Sequence, residues 1–164
     1  MSMETITEEA TYLTFTLGQE EFAVDVSKVR EVLEFTKITK VPKTPDFMRG
    51  VINLRGSVVP VVDLKMKFGM EKTEQTINTC IVVMEVTIGD KATILGGLTD
   101  AVQEVVELEP EQIEAAPKIG TSLDTDFISG MGKRNEEFII ILDIDKVFSE
   151  EDHELIKKAE TGKE

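Results

Sequence analysis

The sequence predicts an all-β protein with short helices, in which two small barrels pack on a shared core and a helix follows at the C-terminal end. Short apolar stretches alternate with polar residues along the chain and are separated by glycine-containing turns, without the strand–helix alternation of a parallel sheet. Parts of this pattern occur twice at constant displacements. Two small strand-rich units are typical of paired barrels, and because neither would bury much apolar surface alone, we expect them to share a core.

The first elements of the chain are a hairpin, a short helix and a loop. Residues 12–17 alternate in polarity and EEFAVDV resumes after Gly18, which predicts two antiparallel strands. Apolar residues then recur at helical spacing, which predicts a short helix over about 27–33. Pro42 and Pro45 follow and indicate an extended loop.

The stretch VINLRGSVVPVVDL, residues 51–64, predicts the second hairpin, with Gly56 in the turn and Pro60 at an edge or a bulge. A core strand would exclude the charged Arg55. We therefore expect Arg55 at the hairpin tip, where its guanidinium can bind a carboxylate or a carbonyl group of a partner. An internal ion pair with Glu31 or Asp100 is the alternative.

The second half of the chain repeats the first. NTCIVVMEVTIG and KATILGGLT, over residues 78–99, predict a third hairpin. VREVLEF returns as VQEVVEL, with Val29 displaced by 73 positions to Val102. DFMRG returns as DFISG, with Gly50 displaced by 80 positions to Gly130. One strand-rich unit is thus used twice.

The last segment, SEEDHELIKKAE, predicts a terminal helix that packs on the barrels. Ser149 and Asp152 have the spacing of a capping box. His153, the only histidine, is expected on the solvated surface. The predicted division is a flexible N-terminal tail (1–10), one domain (11–149) with a first barrel over about 11–70 and a second over about 76–148, and a C-terminal helix and tail (150–164).

Composition excludes several classes of partner. The chain has 18 Lys and Arg against 32 Asp and Glu, and its net charge of −14 repels nucleic acid and anionic lipid. A single cysteine, Cys80, forms no internal disulfide and is expected to be buried and inert. No apolar run approaches the roughly 18 residues that span a bilayer. The N-terminal residues lack the apolar region of a signal peptide, so we expect a soluble, cytoplasmic protein.

Candidate catalytic and metal-binding residues are few. LDTD and LDID bring carboxylates near one another, as an acid pair or a metal site requires: Asp124, Asp126, Asp143 and Asp145. Aspartate at a strand end commonly caps a turn instead, and the chain contains no phosphate-binding glycine motif. We expect no catalytic residue, no bound metal and no cofactor. A small acidic metal-dependent hydrolase that uses these four aspartates is the alternative.

The remaining class is a protein-interaction module, whose surface would use strand edges and the cleft between barrels. The strings FTLGQEEFAVDVSKVREV, VPKTPDFMRGVINLRGSVVPVVDL and LTDAVQEVVEL resemble the CheW-like domain family of bacterial chemotaxis. The resemblance extends over about residues 12–148. Its most specific part is a motif over 47–64 that contains the family residues Asn53, Leu54, Arg55 and Gly56.

The resemblance implies two SH3-like five-stranded β-barrels around a shared core and an adaptor function without a cofactor. Such a scaffold couples the cytoplasmic tips of methyl-accepting chemoreceptors to the regulatory domain of the histidine kinase CheA, and so controls kinase activity in signal transduction. It is a monomer alone, forms rings with the kinase, and is recruited from the cytoplasm to membrane-bound chemoreceptor arrays. The alternative within the family is a regulatory domain separated from its kinase.

The resemblance also implies binding residues. In the family, the receptor tip lies in the groove between the barrels, and the kinase contacts barrel ends. The residues of this chain that correspond to the receptor groove are Val29, Glu31, Gly50, Arg55, Val102 and Val105. For each valine, plain core packing is an equal alternative, because spacing alone does not distinguish a core face from a groove face.

Overall fold

The structure, a computed structural model, describes residues 10–114, 127–134 and 136–161. Its strands are β1 (Ala10–Leu17), β2 (Glu20–Asp25), β3 (Val29–Glu34), β4 (Met48–Leu54), β5 (Ser57–Asp63), β6 (Cys80–Ile88), β7 (Lys91–Thr99), β8 (Ala101–Leu108), β9 (Ile113–Glu114), β10 (Ile128–Arg134) and β11 (Glu137–Leu142). Its helices are α1 (Leu64–Lys67) and α2 (Glu150–Thr161), with 3-10 turns at Val26–Lys28, Pro110–Gln112 and Ile144–Lys146.

The strands form two curled sheets, which confirms the predicted fold class. One sheet has the order β8-β1-β2-β11-β10-β9 and the other the order β3-β6-β7-β5-β4. Each sheet combines strands from both ends of the chain, and so differs from the predicted contiguous barrels over about 11–70 and 76–148. Sequence patterns specify hairpins well, whereas the parallel pairs of β2 with β11 and of β5 with β7 depend on packing between distant segments.

The internal repeat is visible in the hydrogen bonds. The N–H of Asp63 donates to the carbonyl of Phe47 at 2.7 Å, and the N–H of Asp143 donates to the carbonyl of Phe127 at 2.7 Å. Donors and acceptors are each 80 positions apart. The hairpins β4–β5 and β10–β11 also contain one register shift each, at equivalent places. The two sheets are therefore copies of one unit.

Three apolar clusters fill the molecule. One lies inside each sheet, with Leu108 and Ile141 in the first and Val61 and Ile81 in the second. The third lies between the sheets and confirms the predicted shared core. Four rings stack through it in a row, with centroids 6.2, 6.0 and 4.9 Å apart: Phe15, Phe22, Phe68 and Phe127. Full burial of such a side chain stabilises the fold by about 1.5–3 kcal/mol.

The predicted helix over about 27–33 is wrong. Asp25 caps a single 3-10 turn by accepting a hydrogen bond from the N–H of Ser27 at 2.9 Å, and the chain then enters β3. The segment VREVLE alternates between half-buried and exposed residues, as a strand does. Its valines satisfy both a helical and a strand period over so short a length, and pairing with β6 decides for the strand.

The predicted terminal helix is confirmed. The N–H of Asp152 donates to Ser149 Oγ at 3.1 Å, and the N–H of Ser149 donates to Asp152 Oδ2 at 2.9 Å, which completes the capping box. Ile156 is fully buried beneath α2. The expectation of a solvated His153 is wrong, because the same face of α2 buries it with Nδ1 3.1 Å from Thr93 Oγ1.

Candidate functional site

Arg55 lies at the tip of the β4–β5 hairpin, as predicted. Arg55 and Gly56 form a two-residue turn in which both backbones are left-handed, with φ of 50° and 88°. Asn53 Oδ1 accepts a hydrogen bond from the N–H of Gly56 at 2.8 Å and stabilises the turn. The turn holds the Arg55 side chain outside the sheet, where 71% of it is exposed.

Arg55 also forms the internal ion pair that was the alternative interpretation. Its Nη1 and Nη2 donate to the two carboxylate oxygens of Glu31 on β3. These hydrogen bonds, together with the positive charge, hold the pKa of Glu31 below its ordinary value of 4.5, and the carboxylate raises the pKa of Arg55. Asp100, the other predicted partner, pairs with Lys65 at 3.1 Å. The pair therefore ties the hairpin tip to the neighbouring edge strand.

The Glu31–Arg55 pair borders a surface depression that we call the Arg55 face. Its remaining lining is mostly apolar: Arg30, Leu54, Ser57, Val58, Val59, Val83 and Ile94. Val58 is large, apolar and 45% exposed at this site. Two arginines against one glutamate make the rim cationic, so the Arg55 face combines a positive rim with an apolar base.

An equivalent depression, the Arg134 face, lies on the other sheet. Arg134 Nη1 donates to Glu104 Oε2 at 2.5 Å. Glu104 corresponds to Glu31 at a displacement of 73, and the exposed Phe138 corresponds to Val58 at a displacement of 80. The remaining lining is polar: Thr16, Gln19, Glu20, Glu21, Gln103 and Glu137. Four glutamates against one arginine make this face acidic.

Sequence reasoning did not identify the Arg134 face. The displacement from Glu31 to Glu104 was visible in the sequence and would have indicated it. Arg134, however, lies one position before the counterpart of Arg55, which is Asn135. Residue-by-residue correspondence therefore misses the arginine, whereas the ion pair in the folded chain reveals it.

The six predicted groove residues have different surroundings. Glu31 and Arg55 line one depression together. Val29 and Val102 are half-buried and pack against the shared core, so the core interpretation holds for much of their surface. Val105 is 56% exposed on β8 and is available for contact. The assignment of these residues to a receptor groove stays a prediction.

Gly50 packs the chain segment before β4 against that strand. It is buried, its φ is 140°, and a Cβ atom there would lie 2.1 Å from the carbonyl oxygen of Thr39. Thr39 and Val51 exchange two backbone hydrogen bonds of 2.8 and 2.9 Å beside it. Gly50 therefore acts on any binding surface through the position of residues 35–46.

The final aspartate of the sequence motif, Asp63, has a structural role. Its carboxylate is fully buried and accepts hydrogen bonds from Arg49 Nη1 at 3.0 Å, Thr73 N–H at 3.0 Å and Thr73 Oγ1 at 2.7 Å. A buried carboxylate requires such partners. Asp63 thus fixes the end of β5 to the segment that leads to β6.

The aspartates considered for a hydrolase have structural contacts where they are described. Asp145 accepts from Lys28 Nζ at 2.7 Å and from the N–H of Thr87 at 2.8 Å. Asp143 lies 3.8 Å from Lys146 Nζ. Asp124 and Asp126 lie outside the described residues. In residues 10–114, 127–134 and 136–161, no group of three or more His, Cys, Asp or Glu is placed to hold a metal ion.

Two further sequence expectations concern Cys80 and membrane helices. Cys80 is half-buried rather than buried, and its Sγ donates to the carbonyl of Asn78 at 3.3 Å. Within the part of the chain that the structure describes, no helix is long and apolar enough to cross a membrane.

Comparison with known proteins finds one family throughout. Residues 11–152 match the CheW-like domain. The chain is 37% identical to the chemotaxis protein CheW of Klebsiella aerogenes, over 93% of this chain and 89% of that protein. It is 34% identical to chemotaxis protein CheW of Thermotoga maritima, over 84% of this chain and 87% of that one. The crystal structure of the scaffolding protein TtCheW from Thermoanaerobacter tengcongensis superposes with a TM-score of 0.73 at 35% identity, over 85% of this chain and 92% of that one.

Proposed function

This chain belongs to the CheW-like domain family and is a chemotaxis adaptor protein, and from that premise we propose that it joins chemoreceptor tips and the regulatory domain of the kinase CheA through two separate faces. An adaptor needs contacts that do not overlap, because both partners must be held at once. The Arg55 and Arg134 faces meet this requirement, since they belong to different sheets.

The observation that carries the proposal is a duplicated ion pair in unlike surroundings. Each face has a Glu–Arg pair between a hairpin end and the adjacent strand, with an exposed apolar residue close by. The Arg55 face is cationic with an apolar base, and the Arg134 face is acidic around Phe138. Complementary charge selects partners and suppresses wrong ones. Two copies of one site with opposite charge suit two different partners.

We assign the receptor tip to the Arg55 face. Glu31 and Arg55 supply polar contacts there, and Val105 is the exposed valine of the predicted groove set. Val29 and Val102 contribute with the surface that the core leaves free, and Gly50 contributes by its effect on backbone position. We assign the kinase regulatory domain to the Arg134 face, with Phe138 as its apolar anchor.

The protein controls the kinase without a catalytic residue, metal or cofactor of its own. It holds the receptor and the kinase in a fixed relative geometry, so that receptor conformation changes kinase activity. It is a monomer alone, builds rings with the kinase, and joins membrane-bound receptor arrays through its partners. The alternative of a metal-dependent hydrolase receives no support from the relatives, all of which are chemotaxis proteins where their names are printed above.

Reconstitution tests the coupling role. CheA and a receptor cytoplasmic fragment are mixed with and without this protein, and phosphorylation of CheA is measured. We expect kinase output to change only when all three are present. An output that is the same with and without the protein contradicts the proposal. A pull-down with the CheA regulatory domain separates an adaptor, which binds it in trans, from a detached kinase domain.

Matched variants test the two-face assignment. Arg55→Ala is expected to weaken receptor binding about tenfold or more while kinase binding is kept, and Phe138→Ala is expected to do the reverse. Chemical-shift mapping with a receptor peptide and with the kinase domain provides a second measurement. One identical patch for both partners would overturn the two-face assignment while leaving the adaptor role intact.

A further inference from the structure

A third surface, which we call the lysine cleft, lies beside the loop between β3 and β4. Four lysines line it, together with apolar side chains that include Phe35 and Ile38: Lys37, Lys40, Lys43 and Lys72. All four lysines are exposed. Asp46 is the one carboxylate in its lining. The cleft is thus strongly cationic on a chain whose net charge is −14.

These lysines differ from the other cations in having no partner. In the described ranges, nine Lys or Arg side chains form ion pairs, among them Arg49, which also lines the cleft and pairs with Asp63. The side chains of Lys37, Lys40, Lys43 and Lys72 form no ion pair or hydrogen bond there, and outside the cleft only Lys91 shares this property. Carboxylates are abundant on this chain, so the concentration of unneutralised lysines in one cleft leaves a site for an external anion.

The cleft is preformed. The two hydrogen bonds between Thr39 and Val51 hold its loop to β4, and Thr44 Oγ1 donates to the carbonyl of Val41 at 2.9 Å. Gly50 allows the loop to approach that closely. A loop that is already ordered loses little conformational entropy when a ligand binds.

We propose that the lysine cleft binds an acidic, amphipathic peptide segment of a protein partner. Glutamate or aspartate side chains of the segment pair with the four lysines, and its apolar side chains contact Phe35 and Ile38. Charge complementarity supports this occupant, and the mixed lining supports a peptide rather than a simple anion. Nucleic acid and anionic membranes are disfavoured, because each would also approach the acidic remainder of the surface.

This inference goes beyond the coupling role and is independent of it, since neither the Arg55 face nor the Arg134 face includes these lysines. The test uses the full chain and two fluorescein-labelled peptides of about twelve residues. One alternates glutamate with leucine and phenylalanine, and the other has glutamine in place of each glutamate. We expect the glutamate peptide to bind more tightly, and to lose at least about tenfold in affinity between roughly 50 and 500 mM NaCl, because salt screens exposed charges.

A matched pair of variants locates the binding. Lys37→Glu with Lys40→Glu is expected to weaken binding of the glutamate peptide about tenfold or more. Lys91→Glu with Lys146→Glu changes the net charge equally and should leave the affinity within about twofold. Equal weakening by both double variants, or equal binding of the glutamine peptide, would overturn the proposal. A change in sedimentation of the protein alone that is specific to the cleft variant would also overturn it, because the occupant would then be a second copy.

Discussion

At the hairpin tip, Arg55 holds a left-handed backbone, donates to both oxygens of Glu31 and still exposes most of its side chain. The two interpretations of this residue as a brace and as a binding group are therefore compatible. An exposed pair of this kind contributes little to stability, because water and salt screen it. Its larger effect is to orient the guanidinium, since a planar group held by two hydrogen bonds presents its remaining donors in a fixed direction.

Titration of Glu31 checks the pair directly. Because its pKa is lower in the folded than in the unfolded state, the pair contributes stability above the unfolded value and loses it as the pH falls through the folded-state pKa. We expect carboxyl NMR to give a Glu31 pKa below 4.5, and a return toward that value in Arg55→Ala. Thermal unfolding of Arg55→Ala at neutral pH should be near normal. An unshifted Glu31 in the unmodified protein would contradict the pair.

Asp63 and Asp143 are copies of one position with different surroundings. Asp63 has no exposed side-chain surface and three donors around it, whereas Asp143 keeps 31% of its side chain exposed and has one distant lysine. Asp63→Ala leaves Arg49 and Thr73 without their acceptor and should lower the free energy of unfolding by about 3 kcal/mol. Asp143→Ala should cost less than about 1 kcal/mol. Urea unfolding measures both, and equal losses would show that burial is not the cause.

Among the elements, β4 has the most connections to function. Its end forms the Arg55 turn, and its start carries Gly50, against which the loop of the lysine cleft packs. The same construction occurs at Gly130, where a Cβ atom would lie 3.0 Å from the carbonyl oxygen of Glu114. In both sheets a segment that leaves one edge strand returns to pair with the opposite edge. The glycine permits this closure of the curled sheet.

Alanine at Gly50 tests whether the close approach matters beyond backbone strain. Gly56 also has a positive φ but has open space around its Cβ position, so Gly56→Ala measures strain alone and should cost about 1 kcal/mol. Gly50→Ala adds a collision with the Thr39 carbonyl and should cost at least about 3 kcal/mol. Hydrogen exchange at the amides of Thr39 and Val51 should accelerate only in Gly50→Ala. Equal costs for the two variants would remove the packing role.

At the scale of the whole molecule, each sheet needs both halves of the chain. The hairpin β1–β2 lies between β8 and β11, and the hairpin β6–β7 lies between β3 and β5. The shared core then joins the two sheets, with Leu13 and Phe15 from one and Val82 and Met84 from the other. Contacts so distant in sequence form together, so we expect the chain to unfold as one cooperative unit.

Cutting the chain between its repeats tests this interdependence. A fragment of residues 1–76 lacks β6 and β7, so β3 loses its partner and β5 loses a neighbour. We expect neither this fragment nor residues 77–164 to show a cooperative melting transition by circular dichroism, and we expect the mixed fragments to regain strand signal. The intact chain should show a single transition. A fragment that melts cooperatively alone would mean that the halves fold as separate barrels.

The sequence alone determined the features that depend on neighbouring residues. Alternation of apolar residues around glycine turns predicted the hairpins, the capping spacing of Ser149 and Asp152 predicted α2, and constant displacements predicted the duplicated unit. The charge of Arg55 between apolar runs predicted the hairpin tip. These inferences hold because turn geometry, helix capping and strand alternation are set over two to about four residues.

Only the tertiary structure decided which distant segments meet. It made β3 a strand through pairing with β6, buried His153 against Thr93, and gave Arg134 the carboxylate of Glu104 as its partner. It also concentrated four lysines without partners in one cleft of an acidic chain. A short amphipathic segment is compatible with several local conformations and neighbours. The choice among them comes from the burial of apolar surface across the whole fold, which no local pattern contains.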